Sequence, residues 1–284
     1  MTPLRRWWTG PLASASGVTY GVRVRTSLPR LTVIQHDPDV PLGRFAAWLE
    51  GAAEVHVVQA WLAPLPGVAA LGDGLLVLGG RTNTYDDQRS PWIPATRALL
   101  ADAVARDVPV LGICLGHQML AAALGGRVEV GAPPGREAGL VRVMWRPEAR
   151  EDPVLGAAVR TGEEFADGGD VPLGADHGSV LQPSMHADAV VELPPRAQWL
   201  AFSAMYPFQA MRVGSALGVQ FHPEADPEQL GRWAARHGHD AAATAAAAGT
   251  HDAEVSAVGR ALALAFAAQV REAADGHGVH GSVA

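Results

Sequence analysis

The sequence predicts an α/β protein built on a doubly wound, mostly parallel sheet, with an antiparallel extension of that sheet and a C-terminal helical appendage. Three observations carry this expectation. Short apolar runs recur without polar alternation, as in strands covered on both faces. Segments of helical period separate those runs, which is the pattern of βαβ units. Beyond Gly126 the runs shorten and Pro and Gly turns crowd between them.

Composition sets outer limits. The chain has 284 residues, enough to bury a full core, with 48% hydrophobic and 18% charged residues, as in a folded globular protein. A net charge of -7 argues against nucleic acid as a partner. The single Cys excludes an internal disulfide and suits a reducing, cytoplasmic compartment. Lysine is absent, which removes Schiff-base chemistry and Walker-type phosphate loops. Residues 1–30 carry Arg5-Arg6 and Trp7-Trp8 without a sustained apolar run; an N-terminal extension, or a start codon placed too far upstream, is expected there. That stretch lacks the apolar centre of a signal peptide, and no membrane span is expected elsewhere.

Order is expected from Leu31-Thr32-Val33-Ile34-Gln35, a strand. A helix over Leu42–Leu49 follows, with Phe45, Trp48 and Leu49 on one face. Val55–Val58 and Gly74–Gly80 read as the next strands, and Pro94–Ala105 as a helix. Then comes the stretch that organises the chain, Val108 to Leu120. It starts as an apolar strand, turns sharply at Gly112-Ile113-Cys114-Leu115-Gly116, and continues with Met119, Leu120, Ala123 and Leu124 at helical spacing. Strand, tight turn and helix, with Gly on both sides of a nucleophile, form a nucleophile elbow written with Cys. A lone Cys is most often a small buried hydrophobe; here the helix N-terminus would aim its N–H groups at the sulfur and favour the thiolate. In doubly wound sheets ligands bind beyond the carboxyl ends of the strands, where both Cys114 and Gly79-Gly80 fall.

Downstream, Gly139–Trp145, Ala189–Leu193, Trp199–Ser203 and Ala210–Val213 read as strands of the antiparallel extension. They lead to Gly218-Val219-Gln220-Phe221-His222-Pro223-Glu224. In an extended chain His222 and Glu224 point to the same side, so the carboxylate can orient the imidazole as the third member of a triad does. Gln118 sits one helical turn beyond Cys114, positioned to hold a substrate; His117 is expected to pack locally. Pro227 to Ala284 is Ala-rich, with Val255, Val258, Leu262, Phe266 and Gln269 at helical spacing, and residues after Asp275 read as a frayed tail. His237-Gly238-His239-Asp240 is read as a solvated loop, with no metal or other cofactor expected.

The two motifs together, Gly112-Ile113-Cys114-Leu115-Gly116-His117-Gln118 and Gly218 to Glu224, resemble class I glutamine amidotransferases, nearest the stand-alone branch similar to the glutaminase domain of GMP synthetase. The resemblance covers Leu31 to Glu228 and implies a flavodoxin-like domain over 31–228, flanked by an extension over 1–30 and a helical one over 229–284. It implies a catalytic triad of Cys114, His222 and Glu224 that releases ammonia from glutamine through a γ-glutamyl thioester. It further implies oxyanion donors at the backbone N–H groups of Gly80 and Leu115, and substrate contacts at Gln118 and at His177. His177-Gly178-Ser179 resembles the family's His-Gly-Asp with Ser in place of Asp, and Arg81 stands where the family favours Pro. The expected ligand is glutamine or a γ-glutamyl compound. Because no ATP-binding motif is present, the ammonia would pass to a separate synthetase or acceptor subunit, and the isolated chain would turn over slowly until that partner docks. Two other readings stand beside this one: a γ-glutamyl peptide or amide hydrolase with the same triad, and a non-catalytic regulatory module.

Overall fold

The computed structural model describes residues 27–165 and 178–280, with side chains as far as Gly276. Its elements in chain order are β1 (Arg30–Gln35), α1 (Phe45–Trp48), β2 (Glu54–Gln59), β3 (Gly74–Val77), α2 (Trp92–Ala105), β4 (Val110–Ile113), α3 (Leu115–Ala123), β5 (Arg127–Glu129), β6 (Glu137–Trp145), α4 (Leu155–Glu163), β7 (Ser179–His186), β8 (Ala189–Glu192), β9 (Gln198–Phe202), β10 (Ala210–Val213), β11 (Ala216–Val219), α5 (Pro227–Arg236), α6 (Ala241–Thr250) and α7 (Asp252–His280). Nine strands form one sheet in the order β2-β1-β3-β4-β11-β10-β9-β6-β7. From β2 to β11 every pairing is parallel; from β11 to β7 every pairing is antiparallel.

Alternation along the strands explains the two layers of helices. In β4, Leu111 and Ile113 join the core cluster that holds Val258, Leu262 and Phe266 of α7. Val110 joins the opposite cluster, with Leu99 and Leu100 of α2 and Met119 and Leu120 of α3. Each such side chain, fully buried, contributes roughly 1.5–3 kcal/mol. The strand ladders and these two clusters fix the carboxyl ends of β1, β3 and β4 side by side, and that edge carries the cleft.

Several expectations need adjustment. The segment over 189–193 is β8, but it pairs with β5 in a separate two-stranded sheet. Residues after Asp275 continue α7 as far as His280. Within Asp252–Gly276 the most apolar stretch of this helix has a mean hydropathy of 1.3, and the helix is long enough to cross a bilayer, contrary to the expectation that no segment would be. Its apolar side is taken up within the protein: Val255, Val258, Leu262, Phe266 and Val270 are buried, and Glu254 accepts the Leu181 N–H of edge strand β7 at 2.8 Å. Among the described residues it therefore serves as a packing helix and edge cover. Of the extension expected over 1–30, residues 1–26 lie outside the described residues, and Arg30 opens β1.

Candidate active site

Cys114 stands between β4 and α3, outside both. Its N–H still donates to Val219 O at 2.8 Å, so the sheet ladder holds it to the end of β11. Its φ of 51° and ψ of -103° lie where an L-residue is strained, typically by about 1–3 kcal/mol. The flanking glycines permit that turn. A Cβ on Gly112 would lie 2.7 Å from the Gly116 carbonyl group, and one on Gly116 would run into the Val77 carbonyl oxygen. With both side chains absent, β4 can reverse into α3 at once and present the sulfur at the helix N-terminus.

His222 and Glu224 lie past the end of β11, in a turn closed by Ala225 N–H on His222 O at 3.2 Å. The turn, not extended alternation, brings them together: His222 Nδ1 is 2.7 Å from Glu224 Oε1, and both side chains are buried. The His222 N–H is anchored to Pro183 O at 2.8 Å, and the Trp233 ring packs on the imidazole with centroids 4.6 Å apart. On its other side His222 hydrogen-bonds Cys114. Burial disfavours the charged imidazole, but the Glu224 carboxylate and the charge of an ionised Cys114 outweigh it, raising the pKa to about 10. Thiol, imidazole and carboxylate thus form one hydrogen-bonded line, able to pass a proton from sulfur to ring while the carboxylate holds the ring's tautomer.

The cleft in front of this line has a volume of about 230 Å³. Gly80 forms part of its floor, and Gly79 beside it abuts the triad. A Cβ on Gly79 would lie 2.8 Å from His222 Cε1 and 3.5 Å from Cys114 Cβ; one on Gly80 would lie 3.1 Å from the Leu115 side chain. Gly80 and Leu115, the expected oxyanion donors, are therefore neighbours, and Gly80 shares the cleft with Cys114. Arg81 is tied down: Nε and Nη2 donate to Asp37 Oδ2 and Oδ1 at 2.5 and 2.9 Å, and its backbone N–H reaches Asp37 Oδ2 at 3.3 Å. Burial would raise the Asp37 pKa, but these donors outweigh it and hold the carboxyl below its ordinary range. The Gly80-Arg81 backbone is thereby tied to Asp37 within the lone chain.

Gln118 lines the cleft, and its Nε2 is committed to Asp188 O at 2.9 Å and Gln220 Oε1 at 3.2 Å. His177 lies outside the described residues. Among the described residues the cleft contains His186-Ala187-Asp188, a His-x-Asp triplet that sequence reasoning missed. Its signal was the Asp in third place, which Ser179 lacks. His186 is buried, with Nε2 3.0 Å from Glu137 Oε2 and Nδ1 2.9 Å from Asp188 O. Trp233, Arg236 and His237, from the segment expected as an appendage, also line the cleft; tertiary packing, not a motif, brings them there. His117 is fully buried, with Nε2 3.1 Å from Phe208 O, and burial lowers its pKa to about 4. It packs between elements, away from the cleft. Among the described residues no three His, Cys, Asp or Glu side chains are grouped to hold a metal ion.

The family model "Glutamine amidotransferase class-I" matches residues 52–239. Gamma-glutamyl peptidase 5 of Arabidopsis thaliana is 32% identical over 159 residues, 56% of this chain and 56% of the relative. A GMP synthase [glutamine-hydrolyzing] of Thermomicrobium roseum is 35% identical over 159 residues, 56% of this chain and 24% of that protein. The chain thus spans about half the length of one of these relatives and a quarter of the other. Two solved glutamine amidotransferases superpose with a TM-score of 0.69. The one from Methylobacillus flagellatus is 25% identical, with 87% of this chain and 96% of that chain covered; the one from Thermotoga maritima is 23% identical, with 86% and 99% covered, and shows the fold alone. A match over most of the described sheet, together with this fold and this elbow, establishes that the chain belongs to the class I glutamine amidotransferase family, whose members are glutamine-hydrolysing enzymes with a Cys nucleophile.

Proposed function

We propose that this chain hydrolyses the γ-amide of glutamine with Cys114, His222 and Glu224 as its triad. The observation that carries the reading is the buried line from the Cys114 thiol through His222 to Glu224, with 2.7 Å between Nδ1 and Oε1. His222 Nε2 holds the proton given up by Cys114, and the Sγ thiolate attacks the amide carbon. The oxyanion that forms is met by the N–H groups of Gly80 and Leu115. His222 returns the proton to the departing nitrogen, the C–N bond breaks, and ammonia leaves a γ-glutamyl thioester on Cys114. Water, deprotonated by His222, cleaves the thioester and releases glutamate.

Gln118 Oε1 and the His186–Asp188 turn are the groups that receive the glutamyl portion, the Gln118 nitrogen being already engaged. A nucleophilic thiol suits the reducing cytoplasm. Ammonia released here serves an acceptor enzyme on another chain. One observation favours a second reading, a γ-glutamyl peptide hydrolase: the oxyanion loop is pinned by Asp37 in the lone chain, and a hydrolase has no reason to wait for a partner. Measuring ammonia and glutamate from glutamine, beside amine release from γ-glutamyl peptides, tests both. Cys114-dependent turnover of glutamine supports the first reading; faster turnover of the peptides with glutamine spared supports the second; activity that survives Cys114→Ala defeats both.

A further inference from the structure

The turn Asp37-Pro38-Asp39 touches both halves of the candidate site. Toward the oxyanion loop, Asp37 accepts the Arg81 guanidinium twice, at 2.5 and 2.9 Å, and the Arg81 backbone N–H at 3.3 Å. Asp39 Oδ2 accepts the same guanidinium at 3.0 Å. Toward the imidazole, Asp39 O accepts Trp233 Nε1 at 2.9 Å and Gln229 Nε2 at 3.0 Å, and Asp39 Oδ2 pairs with Arg236 at 2.7 Å. Trp233 is the ring that packs on His222. The turn is itself rigid: Asp37 Oδ1 accepts the Asp39 N–H at 2.9 Å, and Asp37 O accepts both Val40 N–H at 3.0 Å and Gln35 Nε2 at 2.9 Å.

From this arrangement we infer that Arg81 and Asp37 are positioning residues, a brace that sets the oxyanion loop against His222 and assembles the site without a partner chain. The inference rests on the proposed hydrolysis. Asp37 is buried, so its charge is weakly screened and its two-point grip on a planar guanidinium has directional force. Arg81 is half-exposed, so the brace acts through geometry more than through net energy. A displaced oxyanion donor weakens the transition state and leaves substrate binding largely alone.

Two measurements test this. With glutamine as substrate, Arg81→Ala and Asp37→Asn each lower kcat by about tenfold, part of the hundredfold or more lost with a whole oxyanion donor, while KM stays within about twofold. The double variant is no worse than the poorer single one, because both remove one contact. Arg81→Ala combined with Trp233→Phe, which lacks the N–H that reaches Asp39, is non-additive. Independently of turnover, hydrogen exchange at residues 79–82 and 37–40 accelerates in Arg81→Ala. A kcat within twofold of wild type, a raised KM at unchanged kcat, additive losses in either double variant, or unchanged exchange would each overturn the brace. Absence of Cys114-dependent turnover in the wild-type chain would overturn the hydrolysis instead, and the exchange measurement would still decide on the brace.

Discussion

Gly79→Ala probes how closely the backbone beside the cleft floor controls the imidazole. Gly79 is not among the residues with positive φ, so its backbone accepts alanine without strain and the effect is steric. The added methyl would sit 2.8 Å from His222 Cε1, with Val40 Cγ1 at 3.2 Å and Cys114 Cβ at 3.5 Å. Ordinary contact begins near 3.4 Å, so the imidazole would have to retreat by 0.6 Å, the difference of 3.4 and 2.8. The ring is also held by Trp233 at a centroid distance of 4.6 Å and by the 2.7 Å Glu224 hydrogen bond, so moving it disturbs these contacts. A misplacement of about 1 Å costs on the order of a hundredfold in rate; the smaller shift here should cost kcat about 10- to 50-fold. KM should change little, because the glutamyl portion meets other walls. Steady-state ammonia release from glutamine is the assay, with circular dichroism as a check on folding. A folded Gly79→Ala protein with kcat within threefold of wild type would refute the contact between that backbone and the imidazole.

Four further outcomes are expected. Cys114→Gly abolishes turnover and raises the melting temperature, because glycine removes a strain of about 1 kcal/mol at φ 51°; a lowered melting temperature would contradict the strained elbow. Glu224→Gln retains more activity than His222→Ala, since Oε1 can still accept the Nδ1 proton, but its NH2 replaces a buried oxygen that has no partner, costing about 1–3 kcal/mol in thermal melts; equal loss of activity in both would show that the carboxylate charge is indispensable. His222 has a pKa raised to about 10 from 6.5, so its contribution to stability is fully present below pH 6.5 and is lost as pH climbs through about 10; melting temperatures of His222→Phe should fall less than wild type over that range. Asp152 grips Arg212 at 2.7 Å twice and also accepts the N–H groups of Val154 and Leu155, so Asp152→Ala should cost about 3–5 kcal/mol in denaturant melts by stranding a buried guanidinium.

The parts legible in the sequence were those written locally. The elbow showed because a four-residue apolar strand, two glycines and a helical period are contiguous, and the structure has β4, Cys114 and α3 where that pattern put them. His222 and Glu224 showed through their spacing, although a turn rather than a strand sets their geometry. β7 was missed because Pro183 interrupts its run; it is tolerated there because β7 is an edge strand. α4 was missed because Gly156 and Gly162 dilute its pattern, and both sit where a Cβ would collide, with the Arg150 carbonyl oxygen and with Val180. The pairing of β8 with β5, the reach of Trp233 onto His222 and the grip of Asp37 on Arg81 are contacts between distant segments. No local propensity encodes them, so only the packed fold reveals them.

Intact-mass spectrometry of the acid-quenched protein tests the covalent step most directly. Mixed briefly with glutamine, the wild-type chain should gain the mass of one γ-glutamyl group, located on the peptide that carries Cys114 and absent from Cys114→Ala. Glutamine consumed at an undiminished rate by Cys114→Ala, or a γ-glutamyl group found on any other residue, would contradict the account.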